Sequence, residues 1–192
     1  MSNPDQSELL SPLTDMELVR HLLADLHDNL SGKIARFHQL ADLSMALGSA
    51  GTMLPGGETT FAAWTEARTS FVHGNYMATI LLCQGLAEHM LAAHIATGLH
   101  AEELPARITF QETLRRCLAQ GVIGQSDADA LQRLMSLRNP LSHYRDINDP
   151  SNLSRRALDT RTPATEHLRA DGSFAISVAI RLLALPAFRL GD

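Results

Sequence analysis

Lysine is almost missing from this 192-residue chain: Lys33 is the only one, and every other basic side chain is an arginine. Arginine is the better fork for phosphate, although a GC-rich genome would produce the same bias. Aromatic residues make up only 5% while alanine and leucine dominate, which favours helices over a sheet. The two cysteines, Cys83 and Cys117, both sit in apolar helical patterns. That excludes a disulfide framework and fits buried thiols in a reducing compartment. Uninterrupted apolar stretches of about 20 residues are also lacking. The most apolar run, residues 76–98, contains Gln84, Glu88, His89 and His94, and the run over 173–190 is broken by Arg181 and Pro186. No membrane span is therefore expected. Residues 1–12 lack a positive region leading into an apolar core, so no signal peptide is expected and a cytoplasmic location is. The glycines match no phosphate-cradling or dinucleotide pattern, and no Gly-x-Ser-x-Gly elbow occurs. No two histidines pair at helical spacing with a carboxylate partner, so neither a metal nor a cofactor is expected.

What remains is a single domain with a helical extension. Hydrophobic residues amount to 45%, enough for a sizeable core, and the net charge of −5 excludes a protein that coats nucleic acid over its whole surface. Residues 1–12 read as a disordered lead. Residues 13–58 read as an N-terminal helical arm and a Gly-rich loop. Thr14 or Asp15 caps a helix with Leu18, Val19, Leu22, Leu23 and Leu26 on one face. Asn29-Leu30-Ser31-Gly32 is expected to interrupt it before a second pattern carrying Ile34, Phe37 and Leu40. The arm has to bury its stripe against the main domain or a second subunit.

Residues 59–192 read as an antiparallel all-α bundle. Thr59 or Thr60 caps its first helix, and His73-Gly74-Asn75 breaks it. A central helix follows from Tyr76, with Gly98 as its natural end, and Pro105 marks a turn. A short amphipathic helix spans 109–118, and Gly121-Val122-Ile123-Gly124 is a tight connection. Ser126 caps a helix with Ala130, Leu131, Leu134 and Leu137 on its core face. Residues 148–172 read mostly as loop, and Ser173 starts the last helix.

The chemistry is concentrated in residues 137–145, Leu-Arg-Asn-Pro-Leu-Ser-His-Tyr-Arg. Two local structures are open there. Asn139 can cap a new helix with Pro140 at its first position, or one helix runs through and kinks at Pro140. Positions five apart on an unbroken helix point roughly 140° away from each other. Arg138 and His143 therefore share a site only if the chain is re-aimed between them or a second chain completes it. RNA can be cleaved without a metal when a base activates the 2′-hydroxyl, an acid protonates the leaving 5′-oxygen and a cation stabilises the phosphorane. An imidazole titrates near neutrality in water, which suits His143 to either proton-transfer role. The Arg138 guanidinium can hold two phosphate oxygens. Asn139 can orient the imidazole or the phosphate, and Tyr144 can bond a phosphate or stack on a base.

Arg138-Asn139-x-x-x-His143 resembles the Arg-Asn-x-x-x-His signature of HEPN domains, all-helical modules many of which are metal-independent ribonucleases. The resemblance covers residues 60–185. It includes a Gly-Asn-Tyr start to a long apolar helix containing Gln84 and Glu88, the Gly-Val-Ile-Gly turn, an apolar helix running into Leu-Arg-Asn, His-Tyr closing the signature and a final Ala/Ile/Leu helix. It implies that Arg138 and His143 are the catalytic pair, with Asn139 and an acidic residue on the central helix, Glu88, in support. It also implies a homodimer with two motifs facing one cleft, and work in toxin or phage-defence biology beside an antitoxin or nucleotidyltransferase-type partner. Its tyrosine-modified toxin subgroup places that tyrosine two residues after the His, whereas Tyr144 follows His143 directly. The N-terminal arm lies outside the resemblance.

Residues 133–169 hold seven arginines against four acids, a local net of +3 in an acidic chain. This is an expected RNA-contacting face, with Arg145, Arg155 and Arg156 as the expected contacts; solvated loop charge is the equal alternative. A non-catalytic helical regulator or adaptor, using the same face for protein or RNA, is the rival to the ribonuclease.

Overall fold

The computed structural model describes residues 14–97 and 107–190. The expected lead over residues 1–12, the Gly98 helix end and the Pro105 turn lie outside them. Among the described residues the fold is an all-α bundle of seven helices, α1 Asp15–Ser44, α2 Gly57–His73, α3 Tyr76–Thr97, α4 Phe110–Ala119, α5 Gln125–Ser142, α6 Leu153–Thr160 and α7 Ala164–Leu183.

Short-range chemistry sets most of the boundaries. Thr14 and Glu17 form a reciprocal capping box at the start of α1, Glu17 N donating to Thr14 Oγ1 at 3.3 Å and Thr14 N to Glu17 Oε2 at 2.8 Å. Gly74 adopts the left-handed conformation (φ 80°) that ends α2. Thr109 caps α4 by accepting from Glu112 N at 3.3 Å.

Four sequence expectations are corrected. The interruption at Asn29-Leu30-Ser31-Gly32 does not occur: α1 runs unbroken through it, and Asn29 Nδ2 donates back to Asp25 O at 2.9 Å and Asp25 Oδ1 at 3.0 Å. One helical glycine costs only about 1 kcal/mol, too little to stop a 30-residue helix. Second, α2 starts at Gly57 after a left-handed Gly56 (φ 102°), and Thr60 is fully buried instead of capping. Third, α5 starts one residue before Ser126. Gly124 is its cap, its N–H satisfied by Asp127 Oδ2 at 3.1 Å, while Ser126 Oγ accepts from Arg181 Nη2 at 2.9 Å. Fourth, residues 148–172 are largely helical. Asn152 caps α6 by accepting from the N–H groups of Ser154 and Arg155, and α7 begins at Ala164 right after Pro163, nine residues before Ser173. Their polar composition reflects helices lying on the outside, since no residue of α6 is buried.

The core is organised around α3, which packs against α2, α4, α5 and α7. Its buried residues, Ile80, Cys83, Leu86, Ala87, Met90, Leu91 and Ile95 among them, occur all round the axis, as in the centre of a bundle. Phe71 of α2, Leu131 and Leu134 of α5, Ile176, Ile180 and Leu183 of α7, and Phe188 complete it.

Helices α3 and α7 approach closely at Gly172. A Cβ there would lie 2.7 Å from Tyr76 Cδ1 and 3.0 Å from Tyr76 Cβ, the latter fixed to the α3 backbone. Gly→Ala inside a helix ordinarily gains about 1 kcal/mol. Overpacking outweighs that here, so Gly172→Ala is expected to destabilise by about 1–2 kcal/mol and lower Tm by about 2–8 °C in a thermal melt.

Candidate functional site at the end of the fifth helix

Of the two local structures open at Asn139-Pro140, the continuous helix is the one formed. Pro140 lies inside α5, which ends at Ser142, and Asn139 is not a helix cap. The proline has no N–H for the carbonyl one turn back, and the helix unwinds within three residues. His143 N still donates to Asn139 O at 3.1 Å, while the His143 backbone itself is extended (φ −131°, ψ 138°). Ser142 Oγ covers the exposed carbonyls of Arg138 and Asn139, both at 3.3 Å.

This places the motif's side chains in different surroundings. Arg138 and Asn139 are half-buried, whereas His143 is exposed and Tyr144 is 90% exposed. Arg138 lines a cavity of about 530 Å³ that is also walled by Glu88 and His89 of α3, by Arg107, and by Thr113 of α4. Glu88 is held from within its own helix, where Gln84 Nε2 donates to its Oε1 at 3.1 Å. Gln84 is itself buried, and its Oε1 has no hydrogen-bond partner among the described residues. The expected neighbours Arg138 and Glu88 thus share a cavity wall without forming an ion pair. His143 is not among the residues lining that cavity. No side-chain hydrogen bond or ion pair among the described residues engages the Arg138 guanidinium, the His143 ring or the Tyr144 hydroxyl. His89, Arg107 and Thr113 were not singled out by sequence reasoning. Only helix packing brings them to this cavity, and the one local hint was that His89 follows Glu88.

No protein-family model, curated protein or solved structure matches this chain.

The arginines after the motif are mostly partnered. Arg155 Nε pairs with Asp159 at 2.9 Å, Arg145 approaches Asp149 at 3.9 Å, and Arg169 pairs with Glu166. Arg156 holds Asp171 with both guanidinium arms, at 2.7 and 3.3 Å. Arg133 stacks over the Phe174 ring, 4.1 Å from its centroid. Hydrogen bonds from Ser151 hold the Asp149 carboxyl below the usual carboxylate range, with Arg145 adding a smaller effect in the same direction. The acids of this segment therefore cancel much of its positive charge locally.

Neither thiol is set up as a nucleophile. Cys83 and Cys117 are fully buried, and burial pushes both thiols up, Cys117 to about 12. Among the described residues no group of three or more His, Cys, Asp or Glu side chains is arranged to hold a metal ion, and no helix is long and apolar enough to cross a membrane.

Proposed function

We propose that this chain is a metal-independent endoribonuclease of HEPN type, active in the cytoplasm in toxin or phage-defence biology. The observation that carries the reading is Arg138, from the Arg-Asn-x-x-x-His sequence, facing a cavity shared with Glu88 one helix away. In the proposed reaction the RNA 2′-oxygen forms a bond to phosphorus while the bond from phosphorus to the 5′-oxygen breaks. A base takes the 2′-hydroxyl proton and an acid supplies one to the departing 5′-oxygen. The products are a 2′,3′-cyclic phosphate and a 5′-hydroxyl. Arg138 holds the phosphate and stabilises the charge that develops on it. His143 supplies proton transfer, Glu88 and Asn139 orient, and Tyr144 offers an exposed ring to a base.

Base and acid act on opposite sides of the phosphorus, and each chain carries one such histidine. A homodimer with two motifs at one cleft, as the HEPN resemblance implies, supplies both. RNA is bound along Arg145 and Arg155, with Arg156 behind them, and an antitoxin or nucleotidyltransferase-type partner restrains the activity. The second reading, a non-catalytic helical adaptor, is favoured by His143 standing outside the cavity that Arg138 lines.

The test is incubation of a mixed RNA pool with the purified full chain in EDTA. Cleavage to 2′,3′-cyclic phosphate ends is expected, with matched DNA left intact because it lacks the 2′-hydroxyl. An untouched pool in the presence of well-folded protein would favour the adaptor.

A further inference from the structure

Among the described residues, nothing covers the N-terminal two-thirds of α1. Leu40 is the only buried residue in this helix, and Arg36 anchors its base by donating from Nε to Val72 O at 2.9 Å and lying over the Tyr76 ring. Before that anchor, Met16, Val19, Leu22, Leu23, Leu26, Leu30 and Ile34 are 46–69% exposed. Scattered exposed leucines are ordinary, but these are not scattered. Met16, Leu23, Leu30 and Phe37 recur every seven residues, and Val19, Leu26 and Leu40 recur at the second core position of the same heptad, with Lys33 between the last two. That alternating three- and four-residue spacing is the seam of a two-stranded coiled coil. Leu22 and Ile34 widen it on either flank, while Glu17, His21, Asp25, Asp28 and Ser31 occupy the opposite side together with the exposed Leu18.

We propose that the exposed part of this seam, from Met16 to Phe37, is occupied by the same stretch of a second copy, so that two chains join through a parallel coiled coil of their α1 arms. Two observations favour a second copy over an unrelated partner. The first is area. The stripe offers on the order of 100 Å² from each of about eight side chains, or roughly 800 Å² per copy, the size of a standard specific interface. The second is charge. In a parallel pair the residue just before one core position faces the residue five further along on the other chain. Asp15 then meets Arg20 of the partner subunit, and the symmetric contact repeats it. In the antiparallel alternative Arg20 opposes the partner's His27, and Asp15 falls against the partner's Arg36, which Val72 O and Tyr76 already engage. This inference does not depend on RNA cleavage, and it uses a different face from motif-to-motif pairing.

The experiment is sedimentation equilibrium on the full chain. Wild type is expected to self-associate through its arms, and Leu23→Glu/Leu26→Glu to weaken that contact by about 100-fold or more while leaving motif-to-motif pairing and bundle melting unchanged, because both positions are exposed. Asp15→Arg should weaken the dimer and Asp15→Arg/Arg20→Asp restore it. Under oxidation, Leu26→Cys should cross-link with itself in preference to pairing with Leu23→Cys, and the native thiols are buried and do not interfere. A monomeric wild type, association unchanged by Leu23→Glu/Leu26→Glu, or preferential cross-linking between positions 23 and 26 would each overturn the proposal.

Discussion

Replacing His143 with alanine is expected to lower RNA cleavage by about 10²–10⁴-fold, the usual range for a lost proton-transfer group. Arg138→Ala is expected to cost about 10²–10³-fold, as does removal of a donor aimed at developing charge. Arg138→Lys should recover only part of this, because an ammonium cannot grip two phosphate oxygens in a fixed plane. The double variant should be scarcely slower than the worse single one, since groups serving one transition state are not additive. Stability provides the control. His143 is exposed at the end of α5 and its ring has no partner among the described residues, so its loss should leave the melt unchanged within about 0.5 kcal/mol. Full cleavage by either alanine variant would remove that residue from the reaction.

The motif could be found in the sequence because it is local, but its geometry could not. Arg138 and His143 are five residues apart, and whether they converge depends on how α5 passes Pro140, which the residues alone left open. The helix runs on, and its last turn then opens into extended backbone at His143. Boundaries set by neighbouring residues were readable: Thr14 as one of two candidate caps, the Gly74 stop, the start of α4 to within one residue and the turn before Gly124. Where composition alone was the guide, the reading failed. Asn29-Leu30-Ser31-Gly32 has the composition of a break, yet flanking helix and the Asn29 side chain carry α1 across it. Residues 148–172 have the composition of a loop, yet Asn152 and Pro163 start two helices there. The cavity beside Arg138 joins residues from α3, the approach to α4 and α5, a meeting that no single-helix pattern encodes. Counting charges failed in a similar way, because the +3 of residues 133–169 says nothing about which arginines are already partnered.

Arg156 makes that failure measurable. Its partner Asp171 is 15 residues away on α7 and only 6% exposed, while the Arg156 side chain is 27% exposed. Arg156→Ala leaves a carboxylate buried without its counter-charge. Breaking a fully buried pair costs about 3–5 kcal/mol. Because the guanidinium end is partly wet, about 2–3 kcal/mol is expected, seen as a fall in Tm of about 4–12 °C. Replacing both residues with apolar side chains, Arg156→Met with Asp171→Leu, should recover much of the loss, since the pair itself is worth little beyond a well-packed apolar contact. The same ion pair bears on the site. With no buried residue of its own, α6 is tied to α7 by this pair and by the Thr160–His167 contact at 2.8 Å. Asn152, its cap, also donates from Nδ2 to the Arg145 carbonyl two residues after His143. Loosening α6 should therefore free the chain next to the motif, so cleavage by Arg156→Ala should fall along with stability and recover in the apolar pair. A variant that kept its Tm but lost RNA affinity would instead make Arg156 a phosphate contact, and would return this arginine to the role its sequence neighbourhood alone assigned it.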